Sequence, residues 1–278
     1  MRNIARLTSL VPSESTQTAL TAAPLAPWGC AARVLFTALL LYLTAANTLA
    51  TAQTQSSSQA SAPLPDFSAV LSDPIRSDSD RRADERRRPL EFLRFAQVRP
   101  GMNVLDVSAG GGYTTQLLAL AVGSTGNVWA QTPKLRESLE KRLSAHPQAN
   151  IHPLVRPFED PYPADAPRLD LITFILNYHD VANEPVDRAV MNKRLFEALK
   201  PGGHLVLIDH AAAPGSGLRD TKTLHRIDEQ TVLSELKRAG FVLEEQSAFL
   251  RNPDDPRSEA FFDMKTPSDR FSLRLVRP

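Results

Sequence analysis

The stretch VLDVSAGGGY, residues 104–113, constrains the fold more than any other feature of this 278-residue chain. A short apolar run ends in three consecutive glycines, and the apolar segment TTQLLALAVG follows within a few residues. This order predicts a buried strand, a tight turn and a helix, which together place backbone N–H groups and a helix N-terminus beside a ligand. The turn therefore predicts a nucleotide-type binding site at the carboxyl end of the first strand of a sheet.

Strand-like and helix-like segments alternate from Glu85 onward, which indicates an α/β domain with a largely parallel sheet. The segment LDLITFIL is apolar throughout and is expected at the centre of the sheet, buried on both faces. The turn KPGG is expected to lead into the fifth strand. The late segments FVLEEQ and RFSLRLVRP predict a final antiparallel pair, in which the last strand has one better-buried face.

Opposite charges nearly balance over the chain, with 32 Lys and Arg against 31 Asp and Glu. This balance provides no general basic field, so we expect no nucleic-acid partner. The dense basic run Arg81–Arg88 is interrupted by Asp84 and Glu85. It is interpreted as the solvated start of a helix.

The N-terminal segment differs in composition from the rest of the chain. Arg33 precedes the apolar run VLFTALLLYLTAA, and ATA follows, which is the order of a secretory signal peptide cleaved before Gln53. We therefore expect a signal peptide at 1–52, a disordered polar linker at 53–65 and a folded domain at 66–278. The product would be periplasmic or secreted, without stable membrane insertion after cleavage. An uncleaved anchor in the inner membrane is the alternative.

Three classes of cofactor compete for the glycine turn. A phosphate-binding P-loop requires Lys and Ser or Thr after its glycines, but Tyr113 and Thr114 stand there. A dinucleotide site requires a third glycine at the position of Thr115. An acidic residue and alternate small residues remain: Asp106, Ser108, Gly110 and Gly112. This pattern suits a cofactor with a cationic aminoacyl end, because a carboxylate attracts an ammonium or sulfonium group and glycine permits close approach.

The pattern resembles the first motif of the class I S-adenosylmethionine-dependent methyltransferases, an acidic residue followed by spaced glycines. ALKPGGHLVLIDH is similar to the family's turn before strand five, and the late strand pair is similar to its strands six and seven. With NYHD, LHRID, LRNPDD and SDRFSLRLVRP, most of residues 76–278 resembles a group of exported, largely uncharacterised bacterial predicted methyltransferases. The resemblance implies a Rossmann-like fold with a seven-stranded, mostly parallel sheet and an antiparallel C-terminal strand.

The resemblance also implies that S-adenosylmethionine is the cofactor and a small molecule the methyl acceptor. Ser108 departs from the family, because it replaces the first glycine of the usual turn. Gln131 stands where the family has an acidic residue that holds the ribose hydroxyls, and a neutral amide forms weaker bonds with them. An exported binding protein that has lost or changed its cofactor is therefore the alternative. The expected cofactor contacts are Asp106, Ser108, Gly110, Gly111, Gly112, Tyr113, Gln131, Phe158, Glu159 and Asn177.

The group NYHD, residues 177–180, falls at the end of the predicted central strand, where this fold binds acceptors. His179 is the expected base for an acceptor that carries a proton, since an unperturbed imidazole titrates near neutral pH. Tyr178 is expected to form a wall of the acceptor pocket. Asp180 and His210 complete the expected catalytic group.

A metal site is a weaker alternative at the same strand ends. Asp209, His210, His225 and Asp228 could supply imidazoles and carboxylates to a divalent ion. Their spacing is not that of a compact ligand set, and Asp228 is already expected to cap a helix, so no metal is predicted. Arg226 is expected to pair either with an acidic surface residue or with the substrate.

Overall fold

A single sheet of seven strands forms the centre of the part of the chain that the structure describes. The structure is a computed structural model, and it describes residues 64–278. The strands are rich in β-branched and other apolar side chains, as buried strands are. In chain order they are β1 (Asn103–Val107), β2 (Asn127–Thr132), β3 (Ile151–Val155), β4 (Leu169–Ile175), β5 (Leu199–His210), β6 (Val242–Ser247) and β7 (Arg270–Val276).

Helices precede, connect and cover the strands. In chain order they are α1 (Ser68–Ser72), α2 (Asp78–Arg87), α3 (Pro89–Phe95), α4 (Tyr113–Val122), α5 (Glu137–Ala145), α6 (Tyr178–Val181), α7 (Arg188–Ala198) and α8 (Glu229–Arg238). Side chains satisfy free N–H groups where several of them begin. Ser77 forms a capping box with Asp80 at the start of α2. Asp228 accepts from the Gln230 N–H at the start of α8, which confirms the expected cap.

The strand order places β1 and β4 side by side in the sheet. Across the sheet the order is β3-β2-β1-β4-β5-β7-β6. Neighbouring strands are parallel, except that β7 runs antiparallel to both β5 and β6. Because the order reverses between β1 and β4, a crevice opens at their carboxyl ends. These features confirm the predicted Rossmann-like seven-stranded fold with its antiparallel C-terminal strand.

Two apolar cores lie on opposite faces of the sheet. Successive strand residues point to opposite sides, so Val104 and Leu105 of β1 belong to different cores. One core includes Leu118 of α4, and the other includes Leu195 of α7 and Leu236 of α8. Helices on both faces hold the strands in place, so the carboxyl ends form a fixed edge on which a site can be built.

The last strand, β7, is buried on both faces, whereas the sequence indicated one better-buried face. It lies between β5 and β6, so both of its faces are covered and its polar side chains are buried as well. Arg274 is only 6% exposed, because it forms ion pairs with Glu244 and Glu245. It also donates to the carbonyl oxygen of Phe95. Alternation of polar and apolar residues therefore did not indicate a solvent-exposed face here.

Two local predictions differ from the structure. Residues 81–87 of the basic run form most of α2, which begins at Asp78, and Arg88 lies between α2 and α3, so the run is not the start of a helix as expected. Cations at the end of α2 are stabilised by the partial negative charge of the helix C-terminus. KPGG lies within β5, where pairing with β4 shifts register between Leu169 and Leu171. It is therefore an irregularity inside a strand instead of a turn before it.

The predicted signal peptide at 1–52 lies outside the described residues, as does the predicted linker at 53–65 apart from its last two positions. Residues 64 and 65 have no regular secondary structure, and the first helix begins at Ser68. Across residues 64–278, every helix is too short or too polar to cross a membrane. The predicted boundary at residue 66 thus remains a prediction.

Candidate active site

The carboxyl ends of β1, β2, β3 and β4 surround a cavity of about 1250 Å³, called the large cavity below. It lies where the strand order reverses, the usual ligand position in an open α/β sheet. Its volume exceeds the roughly 300–1000 Å³ of most small-ligand pockets, so two reactants fit side by side. It is lined by Ser108, Thr132, Pro133, Lys134, Leu135, Arg136, Glu137, Pro157, Phe158, Glu159, Asn177, Asp180, Val181, Asn183, Glu184, Pro185, Val186, Lys222 and His225.

Ser108 is where the glycine turn meets the large cavity. Its backbone has φ +55°, the left-handed region that glycine adopts without strain. Its hydroxyl donates to Asn177 Oδ1 at 2.5 Å. At Gly112 an added Cβ would lie 2.8 Å from Leu139 Cδ1, so this glycine permits close packing against α5. The other expected contacts of the turn lie outside the described lining of the large cavity: Gly110, Gly111, Gly112 and Tyr113.

Asp106 lies beneath the large cavity instead of in its wall. The residue is 1% exposed, and its carboxylate accepts hydrogen bonds from the Thr115 hydroxyl at 2.6 Å and the Thr173 hydroxyl at 3.0 Å. Burial raises the pKa of Asp106 to about 6, although these hydrogen bonds oppose the rise. The carboxylate thus joins β1 to β4 and α4. It does not line the surface where an ammonium group was expected to meet it.

Gln131 bridges neighbouring segments and is fully buried. Its Oε1 accepts from the Ser108 N–H at 3.0 Å, and its Nε2 donates to the Arg156 carbonyl oxygen at 2.7 Å. Both ends of the amide are occupied, so the side chain is not available to ribose hydroxyls. A carboxylate here could not donate to the Arg156 carbonyl, which explains why an amide replaces the family's acidic residue.

Phe158 and Glu159 line the large cavity beyond the end of β3. The Phe158 ring is nearly parallel to that of Phe174, with centroids 6.5 Å apart. Glu159 Oε1 accepts from the Asp187 N–H at 3.3 Å. Their position at this end of the cavity suits the contact with adenine that the sequence predicted.

His179 is the centre of a buried charged group. It is 1% exposed, and its Nδ1 lies 2.6 Å from Asp209 Oδ1. Its Nε2 lies 3.2 Å from Asp180 Oδ1 but forms no hydrogen bond within the described part of the chain. Burial alone would lower the pKa of His179, but Asp209 and Asp180 raise it to about 10. Because a protonated imidazole cannot accept a proton, this environment does not favour the expected role as a base.

Asp180 connects the buried group to the large cavity. Its Oδ1 lies 3.0 Å from His225 Nδ1, and its Oδ2 accepts from Asn177 Nδ2 at 3.0 Å. Asp180 and His225 both line the large cavity. Ligand atoms of His179, Asp180 and His225 lie within 4.8 Å of one another, the spacing that a single metal ion requires.

Tyr178 and His210 lie outside the described lining of the large cavity. Tyr178 is fully buried, donates to Glu235 Oε2 at 2.6 Å and accepts from Asn192 Nδ2 at 2.7 Å, so it belongs to the core. The His210 ring stacks on that of Phe261 at 3.8 Å. Burial lowers the pKa of His210 to about 2, so its imidazole is neutral at physiological pH.

A second cavity of about 550 Å³, called the arginine cavity below, is lined by Arg86, Arg87, Lys265 and Arg270 and by no acidic residue among those described. Arg270 is 6% exposed, and its Nε has no hydrogen-bond partner in the described chain. Burial, followed by Arg87 and Arg86, lowers the pKa of Arg270 to about 10. The cavity therefore favours an anionic ligand group.

The two cavities are neighbours. The ring of His225, in the lining of the large cavity, lies 5.3 Å from that of Phe262, in the lining of the arginine cavity. Backbone strain is also found here, because Ser108, Leu176 and His225 have φ values of +55°, +58° and +51°. Left-handed non-glycine residues cost about 1–3 kcal/mol each and cluster at functional sites. This strain supports the assignment of the edge as functional.

Sequence reasoning missed Glu137, Lys222 and Arg270. Glu137 lies in the first turn of α5 and lines the large cavity. It is the first acidic residue after β2, and that order was visible in the sequence. Arg270 left no such signal, because its position in a cavity lined by Arg86, Arg87 and Lys265 arises only when the chain folds.

Comparison with known proteins assigns the family. A sequence profile of the family described as protein-L-isoaspartate(D-aspartate) O-methyltransferase matches residues 88–242, more than half of the chain. The chain belongs to this family. Membership confirms the predicted superfamily of S-adenosylmethionine-dependent methyltransferases and S-adenosylmethionine as the cofactor.

Individual relatives match only part of this chain. The protein-L-isoaspartate O-methyltransferase of Pyrococcus horikoshii is 29% identical over 118 residues, 42% of this chain and 48% of that protein. The ubiquinone/menaquinone biosynthesis C-methyltransferase UbiE of Burkholderia multivorans is 30% identical over 120 residues, 41% of this chain and 45% of that protein. The chain thus spans about half the length of the curated relatives it matches. A SAM-dependent methyltransferase from Aquifex aeolicus shares the fold, with a TM-score of 0.51 at 19% identity, covering 73% of this chain and 100% of that one.

The large cavity fits the cofactor of a methyltransferase. A sulfonium and an ammonium group make S-adenosylmethionine cationic at that end, and carboxylates stabilise such charges. The described lining contains more acidic than basic side chains. The acidic residues are Glu137, Glu159, Asp180 and Glu184, and the basic ones are Lys134, Arg136 and Lys222.

Proposed function

We propose that the protein transfers a methyl group from S-adenosylmethionine to a small-molecule acceptor that carries an anionic group. The observation that carries the proposal is the large cavity, which lies at the reversal of strand order, has an excess of carboxylates and has room for two reactants. The neighbouring arginine cavity supports an anionic acceptor, because its cations lack acidic partners in the lining.

The chain's own residues act by binding and alignment. S-adenosylmethionine supplies an electrophilic methyl group on a sulfonium. Phe158 and Glu159 would hold the adenine, Glu137 the ribose, and Asn177 the aminoacyl end. Methyl transfer is an in-line displacement, so alignment and exclusion of water provide most of the acceleration.

A second candidate is O-methylation of an isoaspartyl carboxylate in a peptide. The family match favours it, and the arginine cavity suits a carboxylate group. Methyl transfer from a labelled donor to an isoaspartyl peptide, compared with a panel of small carboxylic acids, distinguishes the two candidates. Transfer to the peptide alone would contradict a small-molecule acceptor.

The cofactor site can be tested by calorimetry on the full-length protein. We expect saturable binding of S-adenosylmethionine and S-adenosylhomocysteine, weakened about tenfold or more by Glu137→Lys, since a lost charge-assisted hydrogen bond is worth about 1.5–3 kcal/mol. Glu140→Lys is the matched control. Both residues are acidic and lie in the first turn of α5, but Glu137 alone of the two lines the large cavity.

Each outcome of this titration decides one point. Absence of binding by the unaltered protein would contradict the methyltransferase proposal and favour the binding protein with a lost or changed cofactor. Equal affinities of the two variants would show that Glu137 does not contact the cofactor, while leaving the enzyme assignment intact.

We also propose that the protein is exported, on the basis of the N-terminal sequence alone. The mature chain is expected to begin at Gln53, with the signal peptide removed. N-terminal sequencing of the protein recovered from periplasmic and cytosolic fractions tests this. Recovery of the intact chain, beginning at Met1, in the cytosol would contradict export.

A further inference from the structure

We propose that His179, Asp180 and His225 form a divalent metal site in the wall of the large cavity. Their ligand atoms lie within 4.8 Å of one another. Asp180 Oδ1 lies 3.2 Å from His179 Nε2 and 3.0 Å from His225 Nδ1. Bonds of about 2.0–2.2 Å to each atom would place a single ion among all three.

The buried Nε2 atom of His179 is a second observation that supports the metal site. The residue is 1% exposed, and Nε2 lies 3.2 Å from Asp180 Oδ1 in an ion-pair contact whose geometry is not that of a hydrogen bond. A buried polar atom without a well-directed hydrogen bond is unfavourable, so such an atom indicates a missing partner. A metal ion would supply that partner to Nε2 and contact Asp180 and His225 at the same time.

The residues behind these ligands orient them as in known metal sites. His179 Nδ1 faces Asp209 at 2.6 Å, which is the carboxylate–histidine–metal arrangement. Asn177 Nδ2 donates to Asp180 Oδ2 at 3.0 Å, so Oδ1 remains directed at the two imidazoles. The Ser108 hydroxyl in turn donates to Asn177. These contacts orient the donor atoms of His179 and Asp180 toward the proposed ion.

The charge and the ligand types indicate the class of ion. Asp180 and Asp209 contribute two negative charges, and a divalent cation that displaces the proton of His179 into solvent balances them. Two imidazoles and one carboxylate suit zinc and neighbouring first-row metals better than calcium or magnesium, which prefer oxygen ligands. Sequence reasoning weighed Asp209, His210, His225 and Asp228 as ligands and predicted no metal, because their spacing is not that of a compact ligand set.

The location gives the ion a role. A site with three protein ligands leaves a coordination position open, and Asp180 and His225 both line the large cavity. An acceptor oxygen bound there would lose its proton to solvent more readily, because the ion stabilises the resulting anion. The role depends on the proposed methyltransferase function, whereas binding of the ion does not.

Metal titration of the full-length, untagged protein tests the site. After treatment with EDTA and dialysis, calorimetry with ZnCl₂ in the absence of S-adenosylmethionine is expected to show one ion per chain. His225→Ala is expected to weaken binding about tenfold or more, since even the loss of a residue behind the ligands costs about 10–100-fold. His225 is only partly buried, so its removal leaves the core intact. His146→Ala, at an exposed histidine, is the matched control and should leave the affinity unchanged.

Cobalt gives an independent readout. Co²⁺ bound at the site is expected to show ligand-field absorption that Asp180→Asn abolishes while the circular dichroism spectrum stays unchanged. Absence of saturable Zn²⁺ binding by the unaltered protein, or equal affinities of the His225 and His146 variants, would overturn the metal site and leave a hydrogen-bonded ion-pair group. Cofactor binding in metal-free buffer is a separate measurement, so failure here does not affect the methyltransferase assignment.

Discussion

Arg226→Met is expected to lower the free energy of unfolding by about 3–5 kcal/mol, because it leaves the Asp255 carboxylate buried without its cation. Both side chains are fully buried, and the guanidinium meets the carboxylate through two bonds of 2.8 and 3.2 Å. Further bonds to the carbonyl oxygens of Ala211 and Glu259 fix the arginine. Urea unfolding of the full-length protein measures the change.

Two controls isolate the unpaired charge as the cause. The double variant Arg226→Met with Asp255→Asn removes both charges and keeps an amide oxygen that can accept from the Arg257 or Asp269 N–H group, so it is expected to be more stable than Arg226→Met alone. Arg88→Ala breaks an exposed pair with Glu91, whose side chains are 52% and 37% accessible, and should change stability by less than about 1 kcal/mol. A loss for Arg226→Met no larger than that for Arg88→Ala would contradict the prediction.

This ion pair also bears on the site. Arg226 follows His225, and its guanidinium donates to the Glu259 carbonyl oxygen, close to Phe261 and Phe262 of the arginine cavity. The sequence predicted either an ion pair of Arg226 with an acidic surface residue or a contact with the substrate. The structure shows a buried ion pair instead. Because Arg226 directly follows His225, the buried pair anchors the segment that carries this histidine.

The fold could be predicted from the sequence because its signals are local. The glycine turn after VLDV, the apolar run LDLITFIL and the late strand pair each occupy one continuous segment, and the order of such segments restricts the topology to few arrangements. The spacing of motifs along the chain therefore sufficed for β1, β4 and the antiparallel β7.

Individual roles at the site could not be predicted in the same way, because they depend on partners distant in sequence. Asp106 has the residue type of a cofactor contact, but Thr173 and Thr115 hold it beneath the cavity. Gln131 bridges Ser108 and Arg156 instead of facing the cavity, because its amide accepts from the Ser108 N–H and donates to the Arg156 carbonyl oxygen. The segment NYHD was expected at the correct strand end, yet the protonation of His179 is set by Asp209, 30 residues away.

Gly112→Ala is expected to destabilise the protein by about 2–4 kcal/mol, as the sum of a strained backbone and a steric clash. Gly112 has φ +81°, and an added Cβ would lie 2.8 Å from Leu139 Cδ1 and 2.9 Å from Arg142 Cδ. Neither neighbour can move easily. Leu139 is fully buried, and Arg142 donates to Asp80 through both terminal nitrogens and to the Gly111 carbonyl oxygen.

Gly215→Ala separates the two contributions to this loss. Gly215 has φ +76°, and nothing lies within 4 Å of an added Cβ, so the variant should lose only about 1–2 kcal/mol from backbone strain. The additional loss in the free energy of unfolding of Gly112→Ala over Gly215→Ala, measured with urea, reports the close packing of the glycine turn on α5. Equal losses would show that α5 shifts to admit a methyl group, and Glu137, which begins α5 in the wall of the large cavity, would then not be held in place by the turn.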